Sequence, residues 1–217
     1  MTDAEASLRR VAAFDFDGTI SRRDTLLGFL VEVGGRATVA SALARSAVDL
    51  LAGLRDDVRR DAAKADVLRR VLGGQRLANV EAAGRRYAEK VSPTFRPSTL
   101  DELRRHREQG HETVIVSASL VYYLRPIAES IGVDHVIAVE MEIDDSGVLT
   151  GALVSPNVRG EQKAVRLREW LAATGDAPAG DGVDVELWAY GDSSGDEALL
   201  AMADHPTWIG RRAARSR

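Results

Sequence analysis

The sequence predicts an α/β fold, with a parallel sheet covered by helices on both faces and an all-helical segment inserted near the start. Short apolar runs rich in β-branched residues alternate with helical segments after Pro97, and this alternation is typical of parallel sheets. Before Pro93, apolar residues recur instead at the spacing of helices. We therefore place the insertion at residues 22–93 and the α/β core at residues 1–21 and 94–217.

The first elements are a strand and a group of helices. Residues 11–16 form a short apolar run, which indicates a buried strand. From Asp24 onwards, apolar residues recur at the spacing of a helix. Glycines at Gly34-Gly35, Gly53 and Gly73-Gly74 are expected to divide this region into separate helices.

The later part of the chain alternates regularly between helices and strands. Gly110 and Gly132 suit the C-terminal ends of helices, as does Gly175 before a loop at 176–184. A hairpin is centred on Gly147. In order, we expect a helix at 99–109, a strand at 113–116, a helix at 122–131, a strand at 135–139, the hairpin at 140–154, a helix at 164–171, a strand at 185–190, a helix at 196–203 and a strand at 207–209.

Composition excludes several classes of protein. The 217 residues carry a net charge of −4, which does not favour nucleic acid or an anionic membrane as a bulk partner. The absence of cysteine excludes disulfides, thiolate nucleophiles and cysteine-ligated metals. The four histidines lack the spacing of zinc ligands. No apolar run approaches the length that spans a bilayer, and the N-terminal one is too short for a signal peptide, so we expect a cytoplasmic protein.

Two carboxylates directly follow the first strand. Asp15 and Asp17 are two residues apart, so they point to the same side of an extended chain. Gly18 and Thr19 then allow a sharp turn. One carboxylate can act as a nucleophile and the other as a proton donor, and together they offer hard oxygen ligands to a divalent cation. This pattern indicates attack on a phosphoryl group.

Polar groups also follow other strands, where the functional groups of parallel sheets gather. Ser117 follows the second predicted strand, and Asp192 and Asp196 follow the strand at 185–190. Lys163 lies in the first turn of a predicted helix, where a cation is unfavourable because of the helix dipole. We therefore expect an anion close to this lysine.

Each of these features also has a structural interpretation. The Asp-x-Asp-Gly segment can be a turn, Ser117 can cap a helix, Lys163 can be a solvated side chain, and residues 191–196 can be a capped loop. A calcium loop is excluded because Glu197 and Ala203 replace the required glycine and glutamate. No glycine-rich nucleotide loop follows a strand. The combination and its order along the chain favour a functional site.

Together these motifs resemble those of the haloacid dehalogenase superfamily, in its phosphoserine phosphatase-like branch. The resemblance covers nearly the whole chain and implies a Rossmann-like core with a helical cap formed by the insertion. It also implies an enzyme that hydrolyses phosphoric monoesters. The matching motifs are Asp15-Phe16-Asp17-Gly18-Thr19, Ser117, Lys163 and Gly191-Asp192-Ser193-Ser194-Gly195-Asp196.

The resemblance implies a role for each matching residue. Asp15 would form an aspartyl-phosphate, and Asp17 would protonate the leaving alkoxide and then activate water. A halide leaving group needs no such acid, so we expect phosphoryl transfer and not dehalogenation. Mg²⁺ would bind Asp15, the backbone carbonyl of Asp17, and Asp192. The phosphate would be held by Gly18, Thr19, Ser117, Ala118 and Lys163, with Asp196 supporting Lys163 or a metal-bound water.

The resemblance also suggests two substrate-binding residues in the cap. Asp24 fits an acidic position and Lys64 a basic position, where the family usually has arginine. Lysine loses the bidentate recognition of a carboxylate, and Gly195 stands where those enzymes often carry asparagine. Both differences argue against phosphoserine itself. Alternatively, Asp24 caps the first cap helix and Lys64 is a solvated helix residue.

The favoured function is a Mg²⁺-dependent phosphatase for a small phosphate monoester, such as a phospho-amino acid, an amino alcohol phosphate or a lipid headgroup phosphate. The alternatives are a phosphotransferase or mutase of the same fold, and a non-catalytic binding module. We expect a monomer or homodimer that acts on a small-molecule phosphate ester, binds no nucleic acid and has no integral membrane association. The basic tail at 211–217 supports no claim about a partner.

Overall fold

The computed structural model describes residues 8–52, 56–174 and 184–210. Its main sheet has five parallel strands in the order β3-β2-β1-β6-β7, and a separate antiparallel pair joins β4 to β5. The predicted α/β fold is therefore confirmed. The strands are β1 (Arg9–Phe14), β2 (Glu112–Leu120), β3 (His135–Val139), β4 (Met141–Ile143), β5 (Leu149–Leu153), β6 (Val185–Gly191) and β7 (His205–Trp208).

The helices fall into two groups along the chain. In the described part of the chain, four lie between β1 and the 3₁₀ turn at Ser92–Thr94, and four alternate with the later strands. The first group is α1 (Leu26–Arg45), α2 (Ala47–Ala52), α3 (Asp57–Leu72) and α4 (Leu77–Val91), and the second is α5 (Pro97–Glu108), α6 (Val121–Ile131), α7 (Glu161–Thr174) and α8 (Glu197–Ala201).

Strand β1 lies at the centre of the sheet and positions the site. It pairs with β2 from Val11 to Phe14 and with β6 from Arg9 to Phe14, always in the parallel sense. Its last four residues are completely buried, as expected for a strand that is covered on both faces. The carboxyl ends of β1, β2 and β6 consequently meet at one edge of the sheet.

Some boundaries differ from the sequence-based prediction. Strand β2 continues to Leu120 with a register shift after Val116, where the prediction ended it at residue 116. A 3₁₀ turn at Ser194–Asp196 replaces the start of the predicted last helix, because Ser193 and Asp196 form a capping box there. The predicted break at Gly53, the helix end at Gly175, most of the loop at 176–184 and the tail at 211–217 lie outside the described residues.

Helix α1 departs from the expectation that no apolar run approaches bilayer length. It has 20 residues and a mean hydropathy of 1.4 over its most apolar window, so length and composition alone would allow it to cross a membrane. Buried helices of globular proteins meet the same criterion, but only 22% of this window is buried. The backbone is non-helical at Gly35, with φ 76° and ψ 159°, and such a break leaves polar backbone groups unsatisfied in lipid. This break argues against α1 as a membrane span.

The β4–β5 hairpin is joined to the turn between helices α3 and α4. The backbone N–H of Gly74 donates to the carbonyl of Leu149 at 2.9 Å, and that of Leu149 donates to the carbonyl of Gln75 at 2.9 Å. The turn between α3 and α4 therefore extends the hairpin by an antiparallel bridge. This contact fixes the end of α3 relative to the rest of the chain.

Candidate active site

The structure brings most of the predicted site residues around one cavity of about 260 Å³ at the carboxyl edge of the sheet. Asp15 and Asp17 reach it from the end of β1, Ser117 from β2, and Lys163 from the first turn of α7. The cavity is lined by Asp15, Asp17, Asp24, Leu26, Arg60, Asp61, Lys64, Ser117, Ala118, Ser119, Asn157, Arg159, Lys163, Ser193, Gly195 and Asp196.

The centre of the site is an ion pair of Lys163 with two carboxylates. The ammonium lies 2.5 Å from Asp15 Oδ1 and 2.6 Å from Asp196 Oδ1, and all three side chains are buried. Burial alone would lower the pKa of Lys163, but the two carboxylates outweigh burial and raise it. Burial raises the pKa of the Asp15 carboxyl to about 7, although Lys163 opposes this shift. The anion expected beside Lys163 is thus supplied by the protein itself.

Asp196 organises the loop that follows β6. Its second oxygen accepts the backbone N–H groups of Asp192 and Ser193, at 3.2 and 3.0 Å, and the Ser193 hydroxyl at 2.9 Å. Burial opposes ionisation of this carboxyl, but Lys163 and the Ser193 donors hold its pKa below the usual value. Asp196 is therefore held as a carboxylate that orients Lys163.

Asp17 is surrounded by hydrogen-bond donors. One of its oxygens accepts the backbone N–H and the hydroxyl of Thr25, at 2.8 and 2.6 Å, and the other accepts the hydroxyl of Ser119. Burial raises the pKa of Asp17, and the Ser119 and Thr25 hydrogen bonds oppose the rise. A carboxyl group with a raised pKa in a fixed orientation suits a general acid.

The carboxylates also fit a divalent cation. Oxygens of Asp15, Asp192 and Asp196 lie within 4.8 Å of one another. Asp192 Oδ1 is buried and has no hydrogen-bond partner among the described residues. Because Asp196 already accepts from Lys163 and the loop, Asp15 and Asp192 are the carboxylates with oxygens to spare for Mg²⁺.

Gly18 makes room for Asp192 beside the first motif. A Cβ atom on Gly18 would lie 2.2 Å from Asp192 Oδ2, and the residue has a φ of +90°, which L side chains rarely adopt. Glycine is therefore required here by both the backbone conformation and the neighbouring carboxylate. Glycine directly after Asp17 thus allows a close contact with Asp192, a residue far along the chain.

Gly18 and Thr19, like the predicted metal ligand Asp192, are not among the residues that line the cavity. The Gly18 carbonyl accepts from Arg96 Nε at 2.9 Å, and the Thr19 carbonyl accepts from Thr99 Oγ1 at 3.0 Å. Thr19 is completely buried, and its hydroxyl has no partner among the described residues. These contacts tie the turn after β1 to the start of α5, and binding of phosphate by these two residues stays a prediction.

The two predicted substrate-binding residues, Asp24 and Lys64, occupy different environments. Asp24 is exposed, lines the cavity, and accepts the N–H of Leu26, the first residue of α1, at 3.0 Å, although the N-cap position itself is Thr25. Lys64 is half-buried and donates to the backbone carbonyl of Ala118 and to Asn157 Oδ1, the latter at 2.6 Å. Lys64 is therefore not a solvated helix residue. Contact of either residue with a substrate stays a prediction.

Several residues of the site were missed from the sequence. Ser119 carries a usable signal, because it is two residues after Ser117 and points to the same side of β2. Thr25, Asn157 and Arg159 carry no such signal, since they lie at a helix start and in loops. Only the tertiary structure brings Asn157 and Arg159 to the cavity and Thr25 to Asp17.

Comparisons with known proteins assign the chain to a family. A sequence model of the haloacid dehalogenase-like hydrolases matches residues 12–201. Protein CicA of Caulobacter vibrioides is 35% identical over 89% of this chain and 83% of its own length. A histidinol-phosphatase of Neisseria meningitidis is 27% identical over 56% of this chain and 54% of its own. The chain belongs to the haloacid dehalogenase-like hydrolases, and it is an enzyme with phosphatase-named relatives.

Solved structures show the same fold. A Bordetella pertussis protein with unknown function has a TM-score of 0.74 and 28% identity, over 90% of this chain and 87% of that one. A phospho-aspartyl intermediate analogue of phosphoserine phosphatase has a TM-score of 0.57 and 19% identity, over 91% and 84% of the two chains. At that identity, the second similarity establishes the fold only.

Proposed function

We propose that the chain is a Mg²⁺-dependent phosphatase that hydrolyses a small phosphate monoester through phosphorylated Asp15. The observation that supports this most directly is the buried network of Lys163, Asp15 and Asp196, in a cavity that Asp17 and Ser117 also line. A phosphate dianion would be repelled by a lone carboxylate nucleophile. A lysine between nucleophile and phosphate reduces this repulsion as charge shifts in the transition state.

The chain's own residues account for both halves of the reaction. With one oxygen held by Lys163, the other oxygen of Asp15 attacks phosphorus, the ester P–O bond breaks, and Asp17 gives its proton to the leaving alkoxide. In the second half, Asp17 takes a proton from water as the water attacks phosphorus. Inorganic phosphate leaves and Asp15 is regenerated.

The remaining groups bind and neutralise the phosphate. Ser117, which lies within β2, donates its hydroxyl to a phosphate oxygen in the cavity. Asp15, Asp192 and the backbone carbonyl of Asp17 would hold Mg²⁺, which would screen the repulsion between the carboxylate and the phosphate dianion. Asp196 keeps Lys163 in place.

We further propose that residues 22–93 act as a cap and that the substrate carries an amino group. Asp24 places a carboxylate at the cavity, and relatives are named for histidinol phosphate and phosphoserine, which both carry amines. The Lys64 ammonium already has two acceptors, so a substrate carboxylate is less well served. Amino alcohol phosphates are therefore favoured over phosphoserine. A cytoplasmic monomer or homodimer stays the prediction for the state of the protein.

The first experiment is release of phosphate from p-nitrophenyl phosphate, with and without Mg²⁺. We expect turnover that requires Mg²⁺ and is abolished by Asp15→Asn, because the amide cannot attack phosphorus. Asp17→Asn should still form the phosphoenzyme, since p-nitrophenolate leaves without a proton, but should hydrolyse it slowly. Acid-quenched labelling with ³²P would detect this trapped species.

Controls separate the proposal from its alternatives. Asp145→Asn, on the exposed turn of the hairpin, should leave turnover unchanged. A panel of amino alcohol phosphates, phospho-amino acids and headgroup phosphates would then rank substrates. Transfer of label to an added alcohol in place of water would identify a phosphotransferase, and folded protein without turnover on the whole panel would contradict an enzymatic role.

A further inference from the structure

Lys64 connects helix α3 to the segment that carries Ser117. Its ammonium donates to the backbone carbonyl of Ala118 and to Asn157 Oδ1, the latter at 2.6 Å. Asn157 in turn donates through Nδ2 to Asp61 Oδ1 at 2.7 Å. Asp61 and Lys64 lie one helical turn apart, so the face of α3 that they share is joined to the core at two points.

The peptide that Lys64 contacts also contacts Ser117. All peptide bonds described are trans, so the carbonyl of Ala118 and the N–H of Ser119 point in opposite directions from one rigid plane. The Ser119 N–H donates to Ser117 Oγ at 3.1 Å. This peptide is therefore held by Lys64 at its oxygen and by Ser117 at its nitrogen.

This arrangement determines what the Ser117 hydroxyl can do. A serine hydroxyl has one hydrogen to donate and accepts through its lone pairs. Because the Ser119 N–H occupies one lone pair of Ser117 Oγ, the hydrogen stays available for an oxygen in the cavity that Ser117 lines. A cation on the far side of the peptide also polarises it, which strengthens its N–H as a donor.

We propose that Lys64 is a positioning residue for phosphate binding: it fixes the Ala118–Ser119 peptide, and this peptide directs the Ser117 hydroxyl towards the phosphate. The inference rests on the proposed phosphatase function but differs from a role for Lys64 in gripping the substrate. Since Lys64 and Asp61 belong to α3, Ser117 is fully oriented only while α3 is packed against the core. Docking of the helical segment and binding of phosphate are thereby coupled.

Burial of the Lys64 ammonium is consistent with this positioning role. Burial lowers the pKa of Lys64 to about 8, although Asp61, Asp17 and Asp24 oppose the shift. A side chain that had only to be solvated would point outwards and avoid this cost. Its contacts compensate by joining three segments that are far apart in sequence.

The test is a double-mutant cycle between Lys64→Met and Ser117→Ala. The methionine keeps the length of the side chain and removes its donors. In the wild-type background, we expect Lys64→Met to weaken binding of inorganic phosphate and to lower kcat/KM, each by about 10-fold or more. In the Ser117→Ala background, the same change should cost at most about threefold, because the hydroxyl through which Lys64 acts is gone.

Equal losses in both backgrounds would overturn the proposal, since a substrate-gripping or purely structural lysine acts independently of Ser117. Lys90→Met is the matched control: Lys90 is an exposed lysine of α4 that pairs with Glu32, and its removal should change neither measurement. If Lys64→Met does not fold, the cycle is run with Asn157→Ala, which leaves the ammonium in place but removes its side-chain acceptor. A smaller loss that again depends on Ser117 is expected.

The two readouts separate failure of this inference from failure of the proposed function. If the wild-type protein hydrolyses no ester but binds inorganic phosphate, the binding cycle alone decides the role of Lys64. If hydrolysis is present and the cycle is additive, the phosphatase function stands and the positioning role is refuted.

Discussion

Thr25 donates both its backbone N–H and its hydroxyl to a single carboxylate oxygen of Asp17, at 2.8 and 2.6 Å. Thr25 immediately precedes α1, and Asp17 follows β1. The start of the helical segment therefore holds the proposed general acid directly. Tyr123 supports the threonine from the core, with its hydroxyl 2.9 Å from Thr25 Oγ1.

Replacing Thr25 with valine should shift the pH dependence of catalysis. Thr25→Val keeps the N–H and the side-chain volume but removes the hydroxyl donor, and the Thr25 hydrogen bonds favour the charged form of Asp17. The pKa of Asp17 should rise, so the alkaline limb of the kcat profile should move to higher pH, while kcat falls about 10-fold. The measurement is kcat against pH with an alkyl phosphate, whose leaving group needs a proton. The control is Tyr123→Phe, which leaves both donors to Asp17 and should move the alkaline limb less. If the alkaline limb of Thr25→Val moves to lower pH, the assignment of Asp17 as the general acid is contradicted.

Gly18→Ala should weaken metal binding. The new Cβ would meet the carboxylate of Asp192 at 2.2 Å and would sit on a backbone with a φ of +90°, so Asp192 must move. We expect Mg²⁺ affinity to fall by about 10- to 100-fold, as measured by titration calorimetry. Gly74→Ala is the control for backbone strain, because Gly74 has a φ of +81° and no atom within 4 Å of its Cβ position. That variant should lose stability but keep its affinity for Mg²⁺.

A buried histidine pair should make stability depend on pH. His106 Nδ1 lies 2.9 Å from His111 Nδ1, and His106 Nε2 lies 2.8 Å from the Tyr190 hydroxyl. The two rings share one proton between their Nδ1 atoms as long as one of them is neutral, because one Nδ1 must donate and the other must accept. Burial, followed by His111 and Arg105, lowers the pKa of His106 to about 4, below the value of about 6.5 in an unfolded chain.

The direction of the pH effect follows from these two pKa values. Between about pH 6.5 and about pH 4 the unfolded state binds a proton that the folded state does not, so the free energy of unfolding falls as pH decreases, by at most about 3 kcal/mol. Urea unfolding across this range measures the slope. His106→Gln should flatten the slope, whereas His205→Gln, at an exposed position, should keep it. An unchanged slope in His106→Gln would assign the effect to other groups.

Gly84→Ala should destabilise the protein although alanine favours helices. Gly84 lies within α4, and a Cβ there would be 2.0 Å from the carbonyl oxygen of Tyr122 in α6. Helix propensity alone would add about 1 kcal/mol of stability, but overpacking should cost about 1–3 kcal/mol and force the helices apart. Thermal unfolding should show a net loss, while Asn79→Ala at an exposed position of the same helix should show a small gain. A net gain in Gly84→Ala would mean that α4 and α6 are not this close.

The sequence alone determined the parallel α/β fold and indicated Asp15, Ser117, Lys163 and Asp192 as candidate site residues. It could do so because strand and helix periodicity are local, and because parallel strands bring their carboxyl ends to one edge. The site residues that follow strands were predictable for the same reason.

Only the tertiary structure decided how those residues are held. The donors to Asp17 come from the start of α1 and from β2, the contacts of Lys64 join α3 to two other segments, and His106 meets Tyr190 across the core. Each of these contacts links residues that are distant in the chain, so no local period or spacing encodes it. Burial, which sets the pKa values of Asp15, Lys64 and His106, exists only once the helices and the sheet have packed together.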